Sequence, residues 1–294
     1  MLEISLIEAG FYALDRLALA LLIGASMTGA WLITDSDQHQ VAAPALRRLL
    51  DVTLIMLLVT TTAVLLLRTA SLAEVGIAET APFIPRVISG TTFGTLWLVR
   101  AAVILLLIMG WMLSRRALSP SGCILMAVGA LITCFCISGV SHAGDDGALT
   151  AVNVINTAHI AAGCLWGGAI IAYALMLKTA HQYTTAASAV RLSTLATFAL
   201  VIVVTTGVIN SWQRLESIEE LWNSSYGLTL LFKLSFVSAM MTIGAFNRFY
   251  LVPAICRAQR GASQWLQRVL YVDATLFIVV ISTAAALGMQ SPAH

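Results

Sequence analysis

Eight apolar runs, each close to the roughly 17–25 residues that a transmembrane helix needs, divide this 294-residue chain. They fall at residues 11–33, 49–67, 93–113, 122–140, 152–177, 192–212, 226–251 and 269–289. A bilayer core offers no water to backbone N–H and C=O groups, so only helices and closed barrels cross it. Barrel strands would alternate apolar and polar residues over segments of roughly 10, whereas these runs are continuous and rich in Leu, Ala and Val. The expected fold is all-α: a polytopic membrane protein, one transmembrane domain over 1–294, built as a bundle of eight transmembrane helices, spans 1 to 8. With 10% charged residues against about 25% in soluble domains, the chain leaves no room for a soluble catalytic unit, and no enzyme activity is expected.

The first run is too long for a signal h-region and is flanked by Glu3 and Glu8, so it is expected to stay as a span. The first, third, fifth and seventh loops hold most of the Lys and Arg, including Arg47, Arg48, Arg115, Arg116, Arg257 and Arg260. The others hold Arg86 and Arg214 against acidic residues such as Asp145, Asp146, Glu219 and Glu220. This bias puts the odd loops in the cytoplasm and both termini outside, in the periplasm of a Gram-negative host. Nothing basic clusters densely enough for nucleic acid. The five cysteines form no CxxC and no disulfide framework.

Ionisable residues inside a membrane are expensive and suggest function by default. Asp15, Arg68, Arg100 and Lys233 all fall in the outer half, and Asp273 near the inner face. The bland alternatives are that Asp15 and Arg68 snorkel to the interface, that Arg100 and Lys233 are ion-pair glue, and that Asp273 pairs with Arg248 or Arg268. His142 and His159 stand seventeen residues apart, at the end of span 4 and two turns into span 5. Each alone could be an interhelical hydrogen-bond donor. Together, on antiparallel helices joined by an acidic turn, they can converge at the outer mouth as a cation site. Soft donors lie below them: Cys134, Cys136, Cys164, Met240 and Met241. Such donors favour Cu(I), while imidazole suits copper and zinc alike. Gly163 and Gly167 form a small-xxx-small pair for close helix packing, and Trp166, beside Gly167 and Gly168, could plug a path beneath the histidines.

Taken in order, SHAG at Ser141–Gly144, H-x6-W-G-G from His159 through Gly168, YGLTLLFK at Tyr226–Lys233, Asn247-Arg248 and Val252-Pro253 resemble the CopD-type copper resistance and copper uptake membrane proteins. The resemblance spans nearly the whole chain. It implies a bacterial inner-membrane protein that carries copper, as Cu(I) or Cu(II), from periplasm to cytoplasm, often with a periplasmic CopC-type partner. On it, His142 and His159 look like copper-handling residues. Family members often carry a histidine near the outer end of span 1, where this chain has Asp15, and a glutamate in span 8, where it has Asp273. The candidate metal ligands are therefore His142, His159, Asp15 and Cys164. The candidate path and gating residues are Trp166, Gly167, Gly168, Lys233, Asn247 and Asp273. Two other functions stay open: a b-type haem electron carrier, with histidines as axial ligands, and a non-transporting membrane partner of a periplasmic copper protein.

Overall fold

The computed structural model describes the backbone of residues 2–33, 36–114, 117–144, 147, 149–180, 185–215 and 217–289, and their side chains except at 2–6, 36–38, 142, 179 and 180. Among the described residues there is no strand. Eight helices are long and apolar enough to cross a membrane: Ile7–Leu32, His39–Ala73, Thr92–Leu113, Pro120–Gly139, Ala151–Lys178, Ala186–Trp212, Ser225–Cys256 and Ala262–Leu287. The eight-span expectation is met, with several boundaries moved and the largest shift in span 2. Span 2 belongs to a helix of 38 residues, Ser36–Ala73, that begins well before the apolar run at 49. Hydropathy marks the part of a helix that lipid covers and says nothing of where the hydrogen-bond ladder starts.

Two spans contain a π-helical turn, Thr28–Leu32 at the end of span 1 and Asn247–Leu251 inside span 7. The second has an evident cause. Pro253 has no N–H for the carbonyl of Phe249 and its ring would strike that carbonyl, and a wider turn just ahead of the proline absorbs the misfit.

Span 5 is the most buried of the eight and span 7 the least. Apolar side chains gain little by leaving lipid for protein, so close packing and interhelical hydrogen bonds must hold such a bundle. Both are visible. A Cβ built on Gly168 of span 5 would stand 1.8 Å from the Ala20 carbonyl oxygen of span 1, and one on Gly24 would stand 2.0 Å from the Gly168 carbonyl oxygen. Spans 1 and 5 thus run in parallel, in backbone contact. Gly167 faces span 8, where a Cβ would meet the Phe277 ring at 2.2 Å. Gly163 has nothing within 4 Å of its Cβ position. The expected Gly163–Gly167 contact is therefore replaced by Gly167 and Gly168, each against a different helix. The reason is helical: Cys164 and Gly168, four apart, share the stripe that meets Arg16, Ala20 and Gly24.

Hydrogen bonds tie other pairs. Trp97 Nε1 donates to the Thr61 carbonyl and Trp111 Nε1 to Asp51, both at 2.8 Å, joining spans 2 and 3. The Tyr173 and Ser188 hydroxyls, 2.7 Å apart, join spans 5 and 6.

Candidate functional site

At the end of the bundle where span 1 begins and span 8 stops, a cavity of about 580 Å³ lies between the first turns of spans 1 and 3 and the last turns of spans 2, 4 and 8. Glu8, Tyr12, Asp15 and Arg16 reach it from one face of span 1, Arg68 from span 2, Arg100 from span 3 and Cys136 from span 4. Ser141, just before the short 3-10 turn His142–Gly144, and Gly144, its last residue, form part of its rim.

The charges in this cavity are arranged, not scattered. Asp15, 3% exposed, accepts from Arg100 Nη2 and, at 2.6 Å, from the Thr60 hydroxyl. It is a buried ion-pair member and does not snorkel, whereas the expectation that Arg100 acts as interhelical glue is met. Such a pair costs much to desolvate and is tolerable because its partners are fixed. Tyr12 donates to Glu8 Oε1 at 3.0 Å, and the Arg16 guanidinium carbon stands 5.9 Å from the Tyr12 ring centroid, within cation–π range.

Just behind this floor lie two buried thiols. Cys164 Sγ is 3.9 Å from the Arg16 carbonyl oxygen, and Cys134 of span 4 is its neighbour in the same buried core. Cys134, Cys136 and Cys164 are all free and buried.

His159 faces the other way. Its Nδ1 is 3.0 Å from the Thr206 hydroxyl of span 6, and its Cε1 would be 3.1 Å from a Cβ on Gly207. Thr206 spends its own hydrogen on the Ile202 carbonyl at 2.5 Å, so the imidazole Nδ1–H is the donor, an assignment made from the hydrogen-bond network. Nε2 is then the lone-pair nitrogen. One turn earlier, Asn156 Nδ2 donates to Ser138 Oγ at 2.9 Å and Ser141 Oγ at 3.3 Å, while Asn210 Nδ2 donates to Asn156 Oδ1 at 3.2 Å. A polar layer therefore joins spans 4, 5 and 6 beside the His142 turn. Lys233 of span 7 and Arg214 after span 6 are cations in the neighbourhood of His159.

The four expected ligands thus divide. Asp15 and Cys164 come together around Arg16, and His159 belongs to the layer across span 5. The side chain of His142, with Asp145 and Asp146, lies outside the described residues. Among the described residues no three of His, Cys, Asp and Glu are grouped to hold a metal ion.

Of the path residues, Trp166 is buried two turns below His159. Asn247, in the π turn, has a buried Oδ1 without a partner among the described residues. Asp273 is 1% exposed, and its Oδ1 also has no partner among the described residues. The expected pairing with Arg248 or Arg268 is not made among the described residues, and the Arg248 guanidinium donates to the Ser193 and Thr197 hydroxyls instead. Asp273 sits four residues before Phe277, on the stripe of span 8 that meets Gly167. The sequence reading missed Asn156, Asn210 and Thr60. Asn156 carried a usable signal, being an amide three residues before His159 in an apolar run.

This fold and cavity define a polytopic helical membrane protein with an ionic chamber at the end bearing its termini and thiols behind the chamber. Two family profiles match it, one described as copper resistance protein D-like, N-terminal domain, over residues 6–152, the other as copper resistance protein D, over residues 186–287. The chain belongs to the copper resistance protein D family. It is 27% identical over 291 residues to copper resistance protein D of Pseudomonas syringae pv. tomato, covering 93% of each chain. It is 23% identical over 278 residues to inner membrane protein YebZ of Escherichia coli (strain K12), covering 92% of this chain and 94% of that one. No solved structure matches it.

Proposed function

We propose that this protein serves copper resistance and homeostasis by carrying copper across the bacterial inner membrane, from periplasm to cytoplasm, with copper as cargo. Family membership and the name of the Pseudomonas relative support the copper role, and the name of the Escherichia relative supports the inner membrane. The Lys and Arg bias of the loops puts the cavity on the periplasmic side. There the acidic outer loops, Glu219 and Glu220 among them, suit a periplasmic CopC-type copper donor.

The observation that carries the reading is the buried thiol pair Cys134–Cys164, set behind a cavity whose rim includes the His142 turn. Two thiolates suit Cu(I). On this reading copper is received at the rim by His142, with His159 offering Nε2 in the polar layer across span 5, passes to the thiols, and leaves past the carboxyl of Asp273.

The test is copper uptake by proteoliposomes of the purified protein, with Cu(I) binding measured in parallel. Uptake is expected in wild type, with loss of both uptake and binding in Cys134→Ser/Cys164→Ser and little change in Cys256→Ser, whose thiol is exposed. His142→Ala and His159→Ala should each slow uptake. Absence of uptake by folded wild-type protein of proven orientation would overturn the transporter reading and favour a non-transporting partner.

A further inference from the structure

The same cavity holds an excess of positive charge that the copper reading does not use. Three guanidiniums, Arg16, Arg68 and Arg100, line it against two carboxylates, Asp15 and Glu8. Asp15 is taken by Arg100 and Thr60, and Glu8 accepts from Tyr12. The half-buried Arg16 and Arg68 guanidiniums make no hydrogen bond to an acceptor among the described residues, and the buried Nε of Arg100 has none either. Each guanidinium presents five N–H donors in a fixed fork that fits the oxygens of a phosphate or carboxylate. Buried donors left without acceptors are costly. The other polar groups facing the space, the Thr92 and Ser141 hydroxyls and the Cys136 thiol, bring no further negative charge, so among the described residues one positive charge is left in excess.

We propose that this cavity binds a phosphate group between Arg16 and Arg68. Its depth fits that ligand. Tyr12 and Trp97, both within about two turns of the start of their spans, sit where aromatic belts mark the headgroup level. About 580 Å³ is far more than one phosphate fills, so the space also accommodates a phosphodiester with part of its headgroup. The two sources of the group are an anionic phospholipid of the periplasmic leaflet and free inorganic phosphate. This proposal does not depend on copper transport, and its readout contains no copper.

Full-length protein is delipidated in neutral detergent. Thermal unfolding is followed with sodium phosphate against sodium chloride at matched ionic strength, and retained phosphatidylglycerol or phosphatidylcholine is counted by native mass spectrometry. Wild type is expected to bind phosphatidylglycerol at least tenfold more tightly than phosphatidylcholine. The Arg16→Gln/Arg68→Gln variant should lose that preference, Arg68→Lys should keep part of it, and Arg47→Gln/Arg48→Gln at the opposite end should keep all of it. Stabilisation by inorganic phosphate alone, abolished in the same double variant, makes the free anion the ligand. Should the double variant not fold, Arg68→Gln alone, nearer the span boundary, carries the comparison. Equal binding of both lipids with no effect of phosphate on wild type would overturn the site, as would a full preference that survives in the folded Arg16→Gln/Arg68→Gln variant or, where that does not fold, in Arg68→Gln.

Discussion

Asp15 and Asp273 are both buried aspartates, held in opposite ways. Asp15 has a guanidinium and a hydroxyl, so removing it leaves Arg100 charged and alone. We expect Asp15→Leu to lower stability by about 3–5 kcal/mol, and Asp15→Leu/Arg100→Leu to recover most of it, because a buried pair replaced by apolar side chains is often neutral or better. Thermal unfolding in detergent measures both. Asp273 loses no partner when changed. Asp273→Asn should therefore unfold within a degree or two of wild type while copper uptake falls, and full uptake in that variant would make its carboxyl structural. The sequence identified both residues by their cost in an apolar run, but not their difference, because Arg100 stands 85 residues from Asp15 and is brought near by the lateral order of helices. His159 and Cys164, by contrast, could be separated on paper. Five residues at about 100° each put them some 140° apart around one helix.

The crossing of spans 1 and 5 is set by two glycines that apolar periodicity does not distinguish from a third. A methyl on Gly168 must push the Ala20 backbone away, whereas Gly163 faces open space. We expect Gly168→Ala to cost at least about 1–3 kcal/mol, the range for overpacking. Gly163→Ala should be neutral or stabilising by up to about 1 kcal/mol, as alanine is the better helix former. Melting temperatures of the two variants give the comparison, and equal values would remove the crossing as a close backbone contact. Span number was legible because hydropathy reports each helix separately. Which glycine touches which neighbour depends on rotation about the helix axis, and in a chain apolar nearly all round little in the sequence fixes that rotation.

At the scale of the molecule, the orientation proposed from the positive-inside bias has the cavity and both termini on the periplasmic face. A cysteine introduced into the tail after Met289 should react with an impermeant maleimide in intact cells whose outer membrane is permeabilised, and its protection would invert the proposed direction of transport. Span 5 lies between the segments that the two family profiles match, 6–152 and 186–287, yet it is the most buried helix. The burial of the Asp15–Arg100 pair has a further consequence for biosynthesis. Asp15 leaves the ribosome 85 residues ahead of Arg100, so at about 5–20 residues per second its carboxyl waits roughly 4–17 s for its counter-ion. Span 1 must spend that interval beside the insertion machinery or at the wet edge of the bilayer, and it commits to full depth when span 3 arrives.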